Sequence, residues 1–268
     1  MRLLTYAKKN KKIAKFFLGS EHREPLGIFT WIVANYRLEC LGRGHVKNRS
    51  IEENVVDLSQ FRRDYLKGGL SRSDLEKDPV VQFSQWFEQA QKTDIPDSTA
   101  MTLATVSAKG WPSQRTVLLK YYDGDGFVFF TNYSSRKAIE MKENQHVSLI
   151  FVWLDLERQV IVNGLVEKVS AAESAKYFMS RPKESQMAAW VSSQSHPVSS
   201  RQMLMQKFQE MKTKIGEGKV PIPSFWGGYR VQPVEIEFWQ GRKNRLHDRF
   251  LYTKNASSGI WSSERLAP

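Results

Sequence analysis

Residues 100–132 read AMTLATVSAKGWPSQRTVLLKYYDGDGFVFFTN, and the fold follows from how this stretch is punctuated. AMTLATVS (100–107) is strand-like and runs into a turn at Lys109–Gly110. SQRTVLLKYY (113–122) follows as a second strand, DGDG at 123–126 is a strong turn signal, and FVFFTN (127–132) supplies a third. Working outward, HVSLIFVW (146–153) and RQVIVNGLVEKV (158–169) predict a fourth and a fifth strand. Before the strands, DPVVQFSQWFEQAQ (78–91) predicts a helix: Asp78 can cap it, Pro79 suits its first turn, and Val80, Phe83, Phe87 and Ala90 recur at helical spacing. Helical patterns return at 171–180, 183–192 and 199–215, and strands at 228–239, 245–253 and 259–265. Short strands joined by tight turns, with helices inserted late, predict a mainly β antiparallel barrel or sandwich with peripheral helices. The strands are not separated by regular helices, which argues against a doubly wound parallel sheet.

The chain has 268 residues and a net charge of +12. Its charge is uneven: residues 1–50 hold 11 Lys and Arg against 3 Asp and Glu, and the excess beyond residue 50 is only +4. A polyanion-binding surface is therefore not demanded by the bulk of the chain, and no nucleic-acid partner is expected. The leader opens MRLLTYAKKNKKIAKFF, with no acid before Glu21. It is expected to be a basic extension, flexible or targeting, with no catalytic role and a boundary near Ser50, followed by one domain over 51–268. No apolar run approaches the roughly 20 residues that span a bilayer, so no membrane span is expected. The single cysteine, Cys40, excludes an intramolecular disulfide and any CxxC metal or redox pair. A reducing compartment is the default, and the expected location is the cytoplasm, with mitochondrial targeting by the leader as the alternative.

Absences narrow the chemistry. There is no GxGxxG fingerprint, no GxxxxGK[ST] loop and no GxSxG elbow, and the five histidines are too dispersed to suggest a metal site. Four stretches point instead to anion binding. In FFTNYSSRKAIEM, Ser134 or Ser135 can cap a helix whose first turn carries Arg136 and Lys137. The helix dipole disfavours cations there by about 0.3–1 kcal/mol each, unless a bound anion shares the site. In QRTVLLK, Arg115 and Lys120 bracket an apolar strand, but their opposite parity puts them on different faces unless the wall bulges or curves. In YFMSRPKESQ, Tyr177, Arg181 and Ser185 recur at four-residue spacing, a set suited to a phosphomonoester. Trp226 and Trp239 are either core or walls for a flat heterocycle, and Gly227–Gly228 permit close backbone approach.

NRLHDRF (244–250) places Arg245, His247 and Arg249 at alternate positions. In an extended strand they share one face, either as a solvated edge that resists aggregation or around a bound anion. Together the signs suggest two phosphate sites and aromatic surfaces on a β scaffold, which fits a phosphorylated planar cofactor beside a phosphorylated small substrate.

From about Phe61 to Pro268 the chain closely resembles the pyridoxine (pyridoxamine) 5′-phosphate oxidase family. RRDYLKGGL, QRTVLLK, FFTNYSSRKA, LERQV, KYFMSRPKESQ, SFWGGYR, EFWQGRKNRLHDRF and the ending ERLAP carry the resemblance, in the family's order. It implies an FMN-binding split β-barrel, a homodimer with FMN at the subunit interface. It also implies oxidation of pyridoxamine 5′-phosphate and pyridoxine 5′-phosphate to pyridoxal 5′-phosphate, with O2 as acceptor giving H2O2, and ammonia from the amine. By resemblance, Arg115, Arg136 and Lys137 hold the FMN phosphate, and Val117, Leu118, Phe130 and Thr131 contact the rest of the flavin. Gln159, Gln194, Ser195, Trp239 and Arg249 complete that site from either subunit. Lys120, Tyr177, Arg181 and Ser185 clamp the phosphate of the vitamin. Arg245 and His247 lie at the pyridine ring near the transferring hydrogen, and Arg62 and Tyr65 close over the bound substrate.

Overall fold

A computed structural model of the chain describes Leu58 and residues 63–268. The leader, its boundary near Ser50 and Arg62 lie outside the described residues. The expected first helix is α1, Pro79–Gln91: the Asp78 carboxylate accepts from the Val80 amide at 2.8 Å, and Pro79 sits in the first turn. Val80, Phe83, Trp86, Phe87 and Ala90 are its buried face. Phe83 drives this face into the sheet, with its ring 4.9 Å from Phe127 and 5.0 Å from Phe151.

Nine antiparallel strands follow. They are β1 (Ala100–Val106), β2 (Pro112–Leu118), β3 (Tyr121–Asp123), β4 (Gly126–Asn132), β5 (His146–Trp153), β6 (Arg158–Lys168), β7 (Trp226–Gln240), β8 (Asp248–Lys254) and β9 (Trp261–Leu266). They join one curled sheet in the order β2-β1-β5-β6-β7-β4-β3, with β8 on β7 and β9 on β8. The 15-residue β7 is the spine: it pairs β6 along its length, β4 through Trp226–Val231, and β8 through Glu235–Gln240. The sheet can therefore branch at β7 and curl into a split barrel around Phe127, Phe129, Leu149, Phe151, Val160, Val162 and Phe238, all fully buried.

A register shift between Asn163 and Gly164 fixes the geometry of that spine. Gly164 faces Pro233 and Asn163 faces Glu235, so Val234 is one residue extra on β7. The extra residue inverts the alternation: Tyr229 and Val231 point inward before it, Ile236 and Phe238 after it. At the bulge the strands approach so closely that a Cβ on Gly164 would lie 2.2 Å from the Gln232 carbonyl oxygen.

Around the sheet lie α2 (Arg136–Glu143), α3 (Ala171–Ser180), α4 (Lys183–Val191) and α5 (Arg201–Ile215). Phe178, Met187, Val220 and Trp226 form a second, smaller core under α3–α5. Gly227 and Gly228 do admit close approach, and the groups that approach are side chains of the protein. A Cβ on Gly227 would meet the Tyr133 hydroxyl at 2.1 Å, and one on Gly228 would meet Val169 and Phe130.

Two expectations need correction. The expected strand 113–122 is broken after Leu118, because the Leu119 amide donates to Thr99 and the Lys120 amide to Val128, so the chain crosses from one strand partner to another. The strand expected from residue 245 begins only at Asp248. Residues Lys243–Arg245 form a 3-10 turn in which Asn244 and Arg245 both have positive φ, 56° and 60°. Arg245, His247 and Arg249 therefore do not share a face through strand alternation.

Candidate functional site

A cleft of about 560 Å³ opens where β2, β4, α3 and α4 meet. Ten expected site residues line it: Val117, Leu118 and Lys120 from the β2–β3 crossing, Phe130, Thr131 and Lys137 from β4 and α2, Tyr177, Arg181 and Ser185 from α3 and α4, and Gln194 beyond α4. The break after Leu118 is what turns Lys120 into the cleft, so the parity conflict with Arg115 is resolved by their serving different surroundings. One wall is aromatic: Tyr177 stacks on Phe130 with centroids 4.0 Å apart, and Phe130 stacks on Trp226 at 5.4 Å.

The cleft carries positive charge that the described residues do not neutralise. Lys137 is 7% exposed, and its Nζ donates to Gln194 Oε1 at 3.1 Å, Thr131 Oγ1 at 3.3 Å and Ser135 Oγ at 3.4 Å. Every one of these acceptors is neutral. Burial, with the nearby Arg115 charge, pushes the Lys137 ammonium down to about 8. Arg181 stands at the end of α3 with its guanidinium 4.8 Å from the Trp226 ring centroid. Its Nη1 is buried without a hydrogen-bond partner, and burial lowers its affinity for the proton. A buried donor without an acceptor is costly, so the arrangement is complementary to an anion that enters the cleft.

Arg115 and Arg136 sit beside the cleft and do not line it. Both are held by Glu140, a buried carboxylate on α2 that sequence reading missed. Glu140 Oε2 accepts from Thr105 Oγ1 at 2.5 Å, Ser113 Oγ at 2.6 Å and an Arg115 Nη at 3.2 Å, while Oε1 accepts from Arg136 Nε at 2.7 Å. Burial pushes this carboxyl up, but the hydrogen bonds from Ser113, Thr105 and Arg136 and the Arg136 charge outweigh it and hold it near 2. The i, i+4 spacing of Arg136 and Glu140 was the one signal available in the sequence.

Of the remaining described site residues, all but Ser195, which follows Gln194 in the chain, lie towards the other end of β7. Trp239 is opposite Gln159 on β6 and Arg249 on β8. His247 packs on Trp239 with ring centroids 4.6 Å apart, and Tyr65 meets both edge-on at 5.5–5.6 Å. The His247 Nδ1 accepts from the Arg242 amide at 3.1 Å, which leaves the proton of the neutral ring on Nε2. Partial burial and the Arg245 charge lower the His247 pKa, opposed by Asp248. Arg249 is bidentate to Glu237, at 2.8 and 3.1 Å, a cross-strand diagonal pair. Ser195 is exposed, with φ of 70°. Among the described residues no group of three or more His, Cys, Asp or Glu could hold a metal, and no helix is long and apolar enough to cross a membrane.

Residues 87–215 match the family profile described as pyridoxamine 5′-phosphate oxidase, and residues 226–268 match the pyridoxine 5′-phosphate oxidase C-terminal dimerisation region. The pyridoxine/pyridoxamine 5′-phosphate oxidase of Shewanella amazonensis is 58% identical over 214 residues, 80% of this chain and 100% of that protein. Its counterpart in Crocosphaera subtropica is 56% identical over the same shares. Among solved structures, PhzG from Burkholderia lata, in complex with tetrahydrophenazine-1-carboxylic acid, superimposes with a TM-score of 0.69 at 26% identity, over 73% of this chain and 95% of that one. An FMN-binding protein of Nostoc punctiforme related to pyridoxamine 5′-phosphate oxidase shares the fold, with a TM-score of 0.58 at 16% identity, over 72% of this chain and 100% of that one. With two profiles in sequence order and relatives matched from end to end, the chain belongs to the pyridoxine/pyridoxamine 5′-phosphate oxidase family.

Proposed function

We propose that this protein oxidises pyridoxamine 5′-phosphate and pyridoxine 5′-phosphate to pyridoxal 5′-phosphate with FMN as cofactor and O2 as final acceptor. The observation that carries the reading is two cations in one aromatic-walled cleft, the buried Lys137 and the partly buried Arg181 with its buried Nη1, neither of them paired with a carboxylate among the described residues. FMN fits the cleft chemically: Lys137 would hold its phosphate, with Arg115 and Arg136 adding charge, and Val117, Leu118, Phe130 and Thr131 would flank the ring. FMN held there would supply the redox chemistry, accepting a hydride from the C4′ carbon of the substrate with O2 as the final acceptor and H2O2 as its product.

This chain's residues bind, orient and exclude water. Arg181 can present two parallel N–H groups to the substrate phosphate, with Lys120, Tyr177 and Ser185 around it. Arg245, whose guanidinium offers only donors, is suited to orient and polarise the pyridine ring rather than to remove a proton. His247, neutral with its proton on Nε2, is a hydrogen-bond donor beside it. Gln159, Trp239 and Arg249, like Arg245 and His247, belong to the far end of β7, so the complete site draws on a second copy of the chain. Tyr65, packed on Trp239 and His247, would cover the substrate together with Arg62, which lies outside the described residues.

The test is spectroscopic. The FMN-loaded protein should bleach on addition of pyridoxamine 5′-phosphate without oxygen and regain its colour in air. A flavoprotein that stays yellow would remove the substrate assignment, and a protein unable to take up FMN would remove the cofactor as well.

A further inference from the structure

The proposed phosphate clamp comes from two separate pieces of chain, and the structure contains a tie between them. Lys120 immediately precedes β3, whereas Tyr177 and Arg181 are carried by α3. Glu173 lies one turn before Tyr177 and two turns before Arg181, on the same helical face. One of its carboxylate oxygens closes the capping box of α3, accepting from the Ser170 amide and hydroxyl at 3.2 Å each. The other accepts from the Tyr121 hydroxyl at 2.8 Å. Tyr121 is the residue after Lys120. Arg230 on β7 backs the same junction, 3.8 Å from Glu173 and paired through both nitrogens to Asp123 on β3. The Tyr121 ring also lies 6.2 Å from Phe130, the ring on which Tyr177 stacks.

Resting on the proposed reading of the cleft, we propose that Tyr121 and Glu173 are positioning residues that fix the distance between Lys120 and the Tyr177–Arg181 face, and so set affinity for the substrate's phosphate. Neither residue lines the cleft. The Glu173 side chain is 42% exposed, and an exposed pair of this kind contributes little to global stability. Its consequence is orientation. Burial, reinforced by the Glu173 bond, pushes the Tyr121 phenol up to about 12, so it remains a donor throughout the working range. Each oxygen of the carboxylate has its own task, one to cap α3 and one to bind β3. Loss of the second task alone should let α3 shift against Lys120 without unfolding it.

Tyr121→Phe, made in the full chain loaded with FMN, tests the tie, because it leaves the α3 cap intact. It should raise KM for pyridoxamine 5′-phosphate about fivefold, the worth of one oriented hydrogen bond, and Glu173→Ala, which removes the cap as well, should raise it at least as much. FMN affinity should be unchanged, and kcat should stay within about twofold of wild type. Glu173→Gln, which keeps an acceptor for Tyr121, should restore most of the affinity. Unchanged KM in folded Tyr121→Phe would overturn the proposal, and so would parallel losses of kcat and FMN binding, which mark general loosening. If the wild-type protein does not turn over this substrate, the reading of the function fails first. The tie is then judged by calorimetric titration with inorganic phosphate, where weakening in Tyr121→Phe supports it and equal affinity overturns it.

Discussion

Lys137 and Glu140 lie one turn apart on α2 and are both buried, yet they answer opposite electrostatic demands. Glu140 is saturated by donors, including two arginines, and is a finished internal structure. Replacing it by Ala would leave Arg115 half-buried without its counter-charge, which costs about 3 kcal/mol, and urea denaturation should show that loss. Lys137 is unfinished: it meets only neutral oxygens. Its ammonium is held at about 8, below the ordinary 10.5. Between those values the unfolded chain binds the proton that the folded chain has shed, so this residue makes the flavin-free protein more stable as pH rises through the window. Anion binding has the reverse dependence, because it requires the ammonium. FMN affinity, followed by quenching of flavin fluorescence, should be flat below pH 8 and fall by up to about tenfold per unit above it. Lys137→Met should bind FMN about 10- to 100-fold more weakly at pH 7 and lose that decline. An unaltered decline in Lys137→Met would assign the titration to another group.

At the scale of elements, the sequence was legible wherever local chemistry and tertiary pairing agreed. The cap at Asp78, the turn at DGDG and the apolar run of β5 each specify one outcome, and the helix and both strands formed where expected. Legibility failed where a partner distant in sequence decides. The break at Leu119–Lys120 comes from Thr99 and Val128 competing for successive amides, and nothing in QRTVLLK announces it. The late start of β8 has a local cause, Asn244 and Arg245 in the left-handed region where neither is a glycine, which the residue types alone did not announce. The burial of Glu140 was illegible for the same reason as the break: it depends on β1 and β2 closing over α2. The β7 bulge is another such feature, with Gly164 as its marker. Gly164→Ala forces a methyl group against the Gln232 carbonyl, and should destabilise the fold by about 2 kcal/mol in thermal or urea unfolding. A neutral result would mean that the strands separate at the bulge without cost.

For the whole molecule, β7 poses a problem of distance. Trp226, at its first residue, lines the cleft, and Trp239, near its last, carries His247 and Tyr65. Thirteen residues of strand span about 40 Å at 3.3 Å per residue, and although curvature and the bulge shorten this, one small ligand cannot touch both ends. If both ends serve one reaction, they meet only when a second copy brings its far end to the first copy's cleft. Two-fold pairing then makes two sites, each with a cleft from one chain and an Arg245–His247 end from the other. This arrangement can be tested by mixing two inactive variants, Arg181→Ala in the cleft and Arg245→Leu at the far end. In the mixed dimer one site inherits both lesions and the other inherits none. Random reassortment makes half the dimers mixed, so about a quarter of wild-type activity should reappear after the two are unfolded and refolded together. If both ends belonged to a site within one chain, every site in the mixed dimer would carry one lesion, and no activity would return.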